Sequence, residues 1–211
     1  MKKVFVFFIL SLFVLSFAQG IVSLQKVYQL KEGDTVEATG VVLISPNALM
    51  NKTTWIQDAT AGIMLYGNLP ELKIGDVVKV TGKTKLYYGI LEILPDKIEV
   101  IGKEQVQPVN LNKIFEEEAK KGQITKQKIG ELFNNNMSRL VSVSGVISDI
   151  QAYQFIVKTD YFDILIYIRK EANISTKELK KGDKVTVNGI MYLYKDTFEI
   201  LPRFQADIVK N

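Results

Sequence analysis

The chain has 211 residues and a formal net charge of +4, and it contains no cysteine and no histidine. This length is enough for one large domain or two small ones, each with its own hydrophobic core. Without cysteine or histidine the chain has no disulfides, no thiolate metal sites and no catalytic groups of the Ser-His or Cys-His type. The composition therefore predicts a fold held together by its core, and it argues against the common hydrolase mechanisms.

The first eighteen residues, "MKKVFVFFILSLFVLSFA", have the pattern of an export signal. Lys2 and Lys3 precede an apolar run that is shorter than the roughly 20 residues needed to span a bilayer. We therefore expect a signal peptide at 1–18, cleavage after Ala18, and a periplasmic or secreted protein with no membrane span. Without those two lysines the chain has 25 basic and 23 acidic residues, a net charge of +2. It therefore lacks the excess of basic residues that is typical of duplex-DNA binders.

An internal repeat dominates the rest of the sequence. The segment "LKIGDVVKVTGKTKLYYGILEILP" begins at Leu72, and "LKKGDKVTVNGIMYLYKDTFEILP" begins at Leu179. Thirteen positions are identical at a constant offset of 107 residues. Upstream, "VEATGVV" matches "VSVSGVI", "WIQD" matches "FIVK" with Trp55 aligned to Phe155, and "IMLY" matches "ILIY". The repeat predicts two copies of one fold.

Alternating apolar residues predict five strands in the first copy. Their bounds are Thr35–Ile44, Thr54–Asp58, Gly62–Tyr66, Asp76–Lys83 and Ile90–Val100. Gly40 in the long first strand indicates a bend, as Gly145 does in the second copy. We predict a mainly β fold of two tandem OB-fold (five-stranded Greek-key) barrels, at 19–102 and 139–211. An unspecified five-stranded barrel or sandwich is the alternative.

The segment 103–138 between the copies is predicted to be a short helical connector. Asn110 and Thr125 are candidate N-caps of two short helices. In the second copy, Ser175 and Glu178 have the spacing of a capping box and predict a third short helix. The segment 21–30 is expected to form a strand or a short helix against the first barrel.

Three segments of the first copy carry a family resemblance. "GDTVEATGVV", "WIQDATAGIMLYG" and "LKIGDVVKVTGKTKLYYGILEI" together resemble the OB-fold domain that accompanies bacterial extracellular nucleases and related secreted proteins. In the second copy, "FIVKTDYFDILIY" departs from this pattern. The resemblance implies a role involving nucleic acid or nucleotides outside the cytoplasm. No nuclease catalytic region is evident, and the first barrel lacks arginine, so we expect a protein without catalytic activity, cofactor or metal.

The candidate ligand face follows from strand alternation. If Ile56, Ile63 and Leu65 face the core, an outer patch that includes Trp55 and Met64 lies on the strands that OB-folds use to bind oligonucleotides and oligosaccharides. The predicted ligand-binding residues are Trp55, Gln57, Tyr66, Lys83, Lys85, Tyr87, Tyr88, Tyr167, Tyr192 and Tyr194. For Trp55, ligand stacking and packing against the neighbouring barrel are equally open.

Charged residues add further candidates. A predicted phosphate-attracting group, alternatively a solvated loop, comprises Arg169, Lys170, Lys177, Lys180 and Lys181. The run Glu116–Glu118 is expected to form a solvated helix face, because consecutive helical residues point in different directions. The repeated Glu92 and Glu199 are interpreted as outward-facing residues that discourage strand-edge pairing. Asp58, Asp76 and Asp183 are expected to accept hydrogen bonds from backbone N–H groups in turns.

The sequence thus supports three hypotheses. In the first, aromatic stacking and lysines bind single-stranded nucleic acid or nucleotide-like ligands. In the second, the same face binds an envelope glycan or an envelope protein. In the third, the two barrels pack face to face, their aromatic residues are buried, and the protein is a structural adaptor.

Overall fold

The first barrel is closed and has five strands. The structure is a computed structural model that describes residues 21–122 and 124–211, so the predicted signal peptide at 1–18 lies outside the described residues. The strands are β1 (Thr35–Val42), β2 (Thr53–Gln57), β3 (Gly62–Tyr66), β4 (Asp76–Tyr87) and β5 (Ile90–Lys103). Their order around the barrel is β1-β2-β3-β5-β4, in which β3 and β5 are parallel and the other pairs antiparallel. This is the Greek-key barrel of the OB-fold.

The second barrel repeats this order. Its elements are β6 (Val109–Asn110), β7 (Leu140–Gln151), β8 (Gln154–Lys158), β9 (Asp163–Tyr167), β10 (Lys184–Tyr194), β11 (Thr197–Leu201) and β12 (Ile208–Lys210). Pairing of β10 with β7 closes the barrel, while β6 and β12 extend its sheet at the two ends. The predicted fold class, two tandem OB-fold barrels joined by a short helical segment, is confirmed.

Three α-helices accompany the barrels: α1 (Leu24–Val27), α2 (Leu111–Ala119) and α3 (Lys126–Asn134). Both predicted caps are confirmed, since Asn110 accepts a hydrogen bond from the Lys113 N–H and Thr125 accepts one from the Lys128 N–H. The helix predicted at Ser175 is wrong, because only a short 3₁₀ helix forms there, at Lys170–Ala172. The Ser175 N–H instead donates to Gln205 Oε1, which ties this loop to the C-terminal segment.

Each barrel has its own core, and helices close one end of it. Ile56, Ile63 and Leu65 point into the first barrel, as their alternation predicts, together with Leu24 of α1. The second core contains Phe155 and Val157 along with apolar residues of α2 and α3. The rings of Phe115 and Phe162 have centroids 4.2 Å apart, and those of Phe133 and Phe162 lie 5.3 Å apart. The connector helices therefore pack as part of the second barrel.

A third apolar cluster joins the two barrels. It contains Leu43, Ile44, Leu49, Trp55, Met64 and Ile90 from the first barrel and Leu140, Ile190, Tyr192 and Leu201 from the second. Two hydrogen bonds cross the same interface: the Leu140 N–H donates to Gln57 Oε1 at 2.8 Å, and Arg203 Nη1 donates to the Leu43 carbonyl at 3.0 Å. The second barrel thus covers the outer face of β2 and β3.

The register of the second strand corrects the sequence alignment of the repeats. Trp55 pairs with Met64 across β2 and β3, and Ile156 pairs with Leu165 across β8 and β9. Ile156 is therefore the counterpart of Trp55, and the alignment of Trp55 with Phe155 was wrong by one residue. A shift of one residue exchanges the two faces of a strand, which explains why Phe155 lies in the core of its barrel.

Turn carboxylates and helix charges follow the sequence predictions. Asp58, Asp76 and Asp183 each accept hydrogen bonds from backbone N–H groups in the turn where they lie. The residues Glu116–Glu118 form ion pairs with neighbouring lysines on an exposed helix face. In the part of the chain that the structure describes, no helix is long and apolar enough to cross a membrane.

Candidate nucleic-acid interface

The predicted ligand residues divide into a covered group and an exposed group. The side chains of Trp55 and Tyr192 are 0% and 6% exposed. Gln57 is also buried, and its Oε1 atom accepts a hydrogen bond from the Leu140 N–H. The prediction of an open face at these positions is therefore corrected: their side chains do lie outside the barrel wall, but the second barrel covers them. The exposed group contains Tyr66, Lys83, Tyr87, Tyr88 and Tyr194, with Lys85 and Tyr167 half-buried.

The exposed group of the first barrel is centred on the β4–β5 hairpin. Tyr88 and Gly89 form its two-residue turn, with φ angles of 47° and 82°. Such turns favour Asn-Gly, because both central residues need positive φ. A bulky residue is uncommon in this conformation. The Tyr88 side chain is nevertheless 85% exposed, and its ring meets the Tyr87 ring edge-to-face with the two centroids 4.6 Å apart. The hairpin therefore presents an aromatic side chain where backbone stability favours a small one.

A pocket of about 250 Å³ lies beside this hairpin. Tyr66, Lys85 and Tyr87 line it together with Met64 and Glu92. The ammonium group of Lys85 lies 6.0 Å from the centroid of the Tyr66 ring. The pocket therefore combines two tyrosine rings, a cation and a carboxylate in one small cavity.

Glu92 occupies the wall of this pocket and is only 2% exposed. In the sheet it pairs with Met64 on β3 and with Lys85 on β4. Burial raises the pKa of the Glu92 carboxyl, and the charge of Lys85 only partly opposes that shift. Glu92 faces away from the barrel core, as predicted, but its predicted role of discouraging strand-edge pairing is wrong, because β5 is paired with β3 on one side and with β4 on the other.

The equivalent carboxylate of the second barrel, Glu199, is sealed. Its Oε1 atom lies 3.4 Å from Arg169 Nη2, and the guanidinium carbon lies 5.0 Å and 5.4 Å from the ring centroids of Tyr167 and Tyr192. Burial raises the pKa of Glu199 despite the opposing charge of Arg169. Four residues thus fill the position that remains an open pocket in the first barrel.

This packing divides the predicted phosphate-attracting group. Arg169 is held between two tyrosines against Glu199, whereas the four lysines are exposed. The four lysines are Lys170, Lys177, Lys180 and Lys181. Within residues 21–122 and 124–211, none of them forms an ion pair. The lysines remain available to anions, and Arg169 does not join them.

The two equivalent positions meet at the junction of the barrels. Burial raises the pKa of Tyr192, and the charges that act on its hydroxyl come from Arg169, Glu199, Tyr87 and Glu92. Residues that the sequence places in separate barrels thus lie around one tyrosine. Reasoning from sequence missed Glu92 as a pocket residue, although its identity with Glu199 in the repeat was a visible signal.

Candidate metal ligands do not cluster in the described part of the chain. No group of three or more Asp or Glu side chains there lies close enough together to hold a metal ion. The polar groups of the pocket are instead suited to hydrogen bonding, stacking and charge attraction.

Comparison with known proteins places the chain beside one curated relative. No known protein-family profile matches it. It is 27% identical over 197 residues to the endonuclease YhcR of Bacillus subtilis, an alignment that covers 83% of this chain and 15% of that protein. The chain therefore corresponds to a small part of that relative.

The solved structures that the chain resembles show lower sequence identity. The protein ygiW from E. coli aligns with 38% of this chain and 89% of its own, at 15% identity and a TM-score of 0.34. A murine DNA-binding protein bound to double-stranded DNA aligns with 84% of this chain and 97% of its own, at 10% identity and a TM-score of 0.36. Both scores are below 0.5, so the fold is assigned from strand order. By that order the chain is a tandem OB-fold protein.

Proposed function

We propose that this is an exported, non-catalytic protein that binds single-stranded nucleic acid or nucleotide-like ligands. The observation that carries the proposal is the exposed aromatic and basic surface around the β4–β5 hairpin. Tyr66, Tyr87 and Tyr88 are 37%, 49% and 85% exposed, and Lys83 and Lys85 lie with Tyr87 on β4. We call these five residues the hairpin surface.

The chemistry of the hairpin surface suits unpaired bases. Every nucleobase has a flat π-face, so tyrosine rings bind single strands with little sequence preference, at about 1–3 kcal/mol per stacked base. Lys83 and Lys85 alternate with inward-facing Thr84 along β4 and therefore point to the same side of the sheet. In the described structure neither lysine forms an ion pair, so both ammonium groups are available to phosphates.

The remaining parts of the proposal rest on the sequence and on the relative. Export is supported by the signal-like segment 1–18. A non-catalytic role is supported by the lack of histidine and cysteine and by the small number of arginines. The similarity to an endonuclease, of which only 15% is aligned, fits a binding module shared with a larger nucleic-acid enzyme.

A second candidate function is an envelope adaptor that binds glycan or protein. One observation favours it: the outer face of β2 and β3, with Trp55 at its centre, is used for packing between the barrels. That face is therefore closed to a ligand, as the adaptor hypothesis requires. The exposed hairpin surface departs from that hypothesis, which requires that the aromatic residues be buried.

Fluorescence anisotropy of a labelled all-thymine oligonucleotide tests the proposal. We expect saturable binding that Tyr87→Ala and Tyr88→Ala each weaken by about tenfold, the equivalent of one lost base stack. Ile101→Ala removes an exposed side chain from the distal end of β5 and serves as the control that retains binding. Normal binding by both tyrosine variants would contradict the proposal.

Salt dependence separates the two candidates. If both lysines of the hairpin surface contact phosphates, the logarithm of the affinity falls with the logarithm of salt concentration with a slope of about −1.4. Binding of a neutral glycan releases no counterions and therefore changes little with salt. Absence of oligonucleotide binding at low salt, together with salt-independent glycan binding, would establish the second candidate instead.

A further inference from the structure

The pocket beside the β4–β5 hairpin contains the carboxylate of Glu92. Neither base stacking nor attraction of phosphate accounts for a negative charge at this place. Glu92 is 2% exposed, and in the described structure its carboxylate forms no hydrogen bond and no ion pair within 4.0 Å. Its equivalent, Glu199, has Arg169 as a partner. A buried carboxylate normally has such a partner, because desolvating an unpaired charge is costly.

We propose that Glu92 recognises the Watson–Crick edge of a guanine base that enters this pocket from a single strand. The inference deepens the proposed function and rests on it. Guanine alone among the common bases presents two adjacent donors on that edge, the N1–H and the N2 amino group. A carboxylate accepts two such hydrogen bonds side by side.

The shape of the pocket fits one base. Its volume of about 250 Å³ accommodates a purine ring with some solvent, and Tyr66 and Tyr87 supply aromatic walls. Aromatic side chains and a polar group at the base edge are the usual means by which proteins bind splayed-out bases. Met64 forms part of the apolar lining.

Charge in the pocket opposes other occupants. The Glu92 carboxylate repels a phosphate, so the phosphate of a bound nucleotide stays toward Lys85 and Lys83 at the outer side of β4. Thymine has a single donor, the N3–H, between two carbonyl oxygens that repel the carboxylate. Adenine and cytosine each offer one amino group beside an acceptor nitrogen, so each makes at most one of the two hydrogen bonds.

Competition between oligonucleotides that differ in one base tests the inference. An all-thymine oligonucleotide, the same strand with one central guanine, and the same strand with hypoxanthine at that position are compared by fluorescence anisotropy with the whole protein. Hypoxanthine retains the N1–H and lacks the amino group. We expect the guanine strand to bind about tenfold more tightly than the thymine strand, with hypoxanthine between them, as is typical of a bidentate contact.

The matched variants are Glu92→Gln and Glu99→Gln. Glutamine keeps the size of the side chain and replaces one acceptor oxygen with a donor, so Glu92→Gln is expected to reduce the guanine preference to about twofold or less. Glu99 is an exposed residue of the same strand that pairs with Lys97, and its substitution should leave both affinities unchanged. Circular dichroism confirms that each variant is folded.

The outcomes separate the inference from the proposed function. Equal binding of the thymine and guanine strands, or a guanine preference that survives Glu92→Gln, would overturn the inference while the proposed function stands. Failure of every oligonucleotide to bind would overturn both. A preference that depends on Glu92 and follows the number of base donors would support it.

Discussion

The two barrels carry the same glutamate at equivalent positions in different surroundings. Glu92 lies in a pocket whose nearest cation, Lys85, is not within ion-pairing distance in the described structure, whereas Glu199 lies 3.4 Å from an arginine held between two tyrosines. The difference arises two residues after β9, where the second barrel has Arg169, and on β10, where Tyr192 lies at the position equivalent to Lys85. A repeated residue therefore has the same place in each barrel without having the same partners.

The outer faces of the barrels differ in the same way. Trp55 on β2 is fully buried because the second barrel lies on it, and its counterpart Ile156 on β8 is half-buried on a face that no other barrel covers. The packing is thus unsymmetrical: the β2–β3 face of one copy contacts the β10–β11 side of the other. One copy supplies the covered face, and the other copy covers it.

The largest expected effect is the loss of packing at Trp55. Trp55→Ala should lower the free energy of unfolding by about 3–5 kcal/mol, because it leaves a cavity between the barrels. Ile156→Ala, at the equivalent position, should lower it by about 1–2 kcal/mol. Urea unfolding followed by circular dichroism measures both. Equal losses would show that the second barrel does not cover Trp55, and the native tryptophan emission would then lack the blue shift expected for a buried ring.

The next effect concerns the sealed site. Arg169→Met should destabilise the protein by about 2 kcal/mol, because it leaves Glu199 buried without a partner. This loss is smaller than the one expected for a fully buried ion pair. Adding Glu199→Gln should restore most of that loss, and the double-mutant cycle isolates the interaction. Oligonucleotide binding should be unchanged in all three variants. If the second substitution restored nothing, the charge of Glu199 would not be the reason for the loss.

Glu92→Gln should have the opposite effect and raise the stability of the protein. Because burial raises the pKa of Glu92, the folded state favours the protonated form, and its stability falls as the pH rises above the ordinary glutamate value of 4.5. The variant should therefore be more stable than the original protein by about 1 kcal/mol at neutral pH and equally stable below that value. The charged or titratable groups near this carboxyl are Lys85, Tyr66, Tyr87 and Tyr192.

A parallel set of unfolding curves from acidic to neutral pH measures this effect. Glu99→Gln is the control, since the pKa of that exposed carboxyl is lowered by its hydrogen bond with Lys97. A gain from Glu92→Gln that persisted unchanged at acidic pH would show that the charge of Glu92 is not the cause.

The smallest effects concern the two hairpin turns. Tyr88 and Lys195 occupy equivalent positions with φ angles of 47° and 54°, a conformation that asparagine adopts more readily. Tyr88→Asn and Lys195→Asn should each stabilise the protein by about 0.5 kcal/mol. Only the first should weaken oligonucleotide binding, because only Tyr88 belongs to the hairpin surface. Equal binding by both variants would remove Tyr88 from the site.

Much of the fold could be predicted from local patterns. Alternation identified Gly62–Tyr66 with its observed bounds and placed Ile56, Ile63 and Leu65 in the core. Side chains on a strand point alternately to two sides whatever lies beyond the strand, so the faces are readable from the sequence. Caps and turns are also local, which is why Asn110 and Thr125 were found.

The candidate site was only partly readable for the same reason. Alternation correctly put Trp55 and Tyr66 outside the barrel, but it contains no information about what covers them. The second barrel, distant in sequence, buries one and leaves the other 37% exposed.

The repeat, the two barrels and the face on which each side chain lies could therefore be predicted from the order of residues. The covered faces, the contact between Arg169 and Glu199, and the open pocket at Glu92 are visible only in the folded chain. These features depend on contacts between residues far apart in the chain, and burial, ion pairing and pKa arise from such contacts rather than from neighbouring residues.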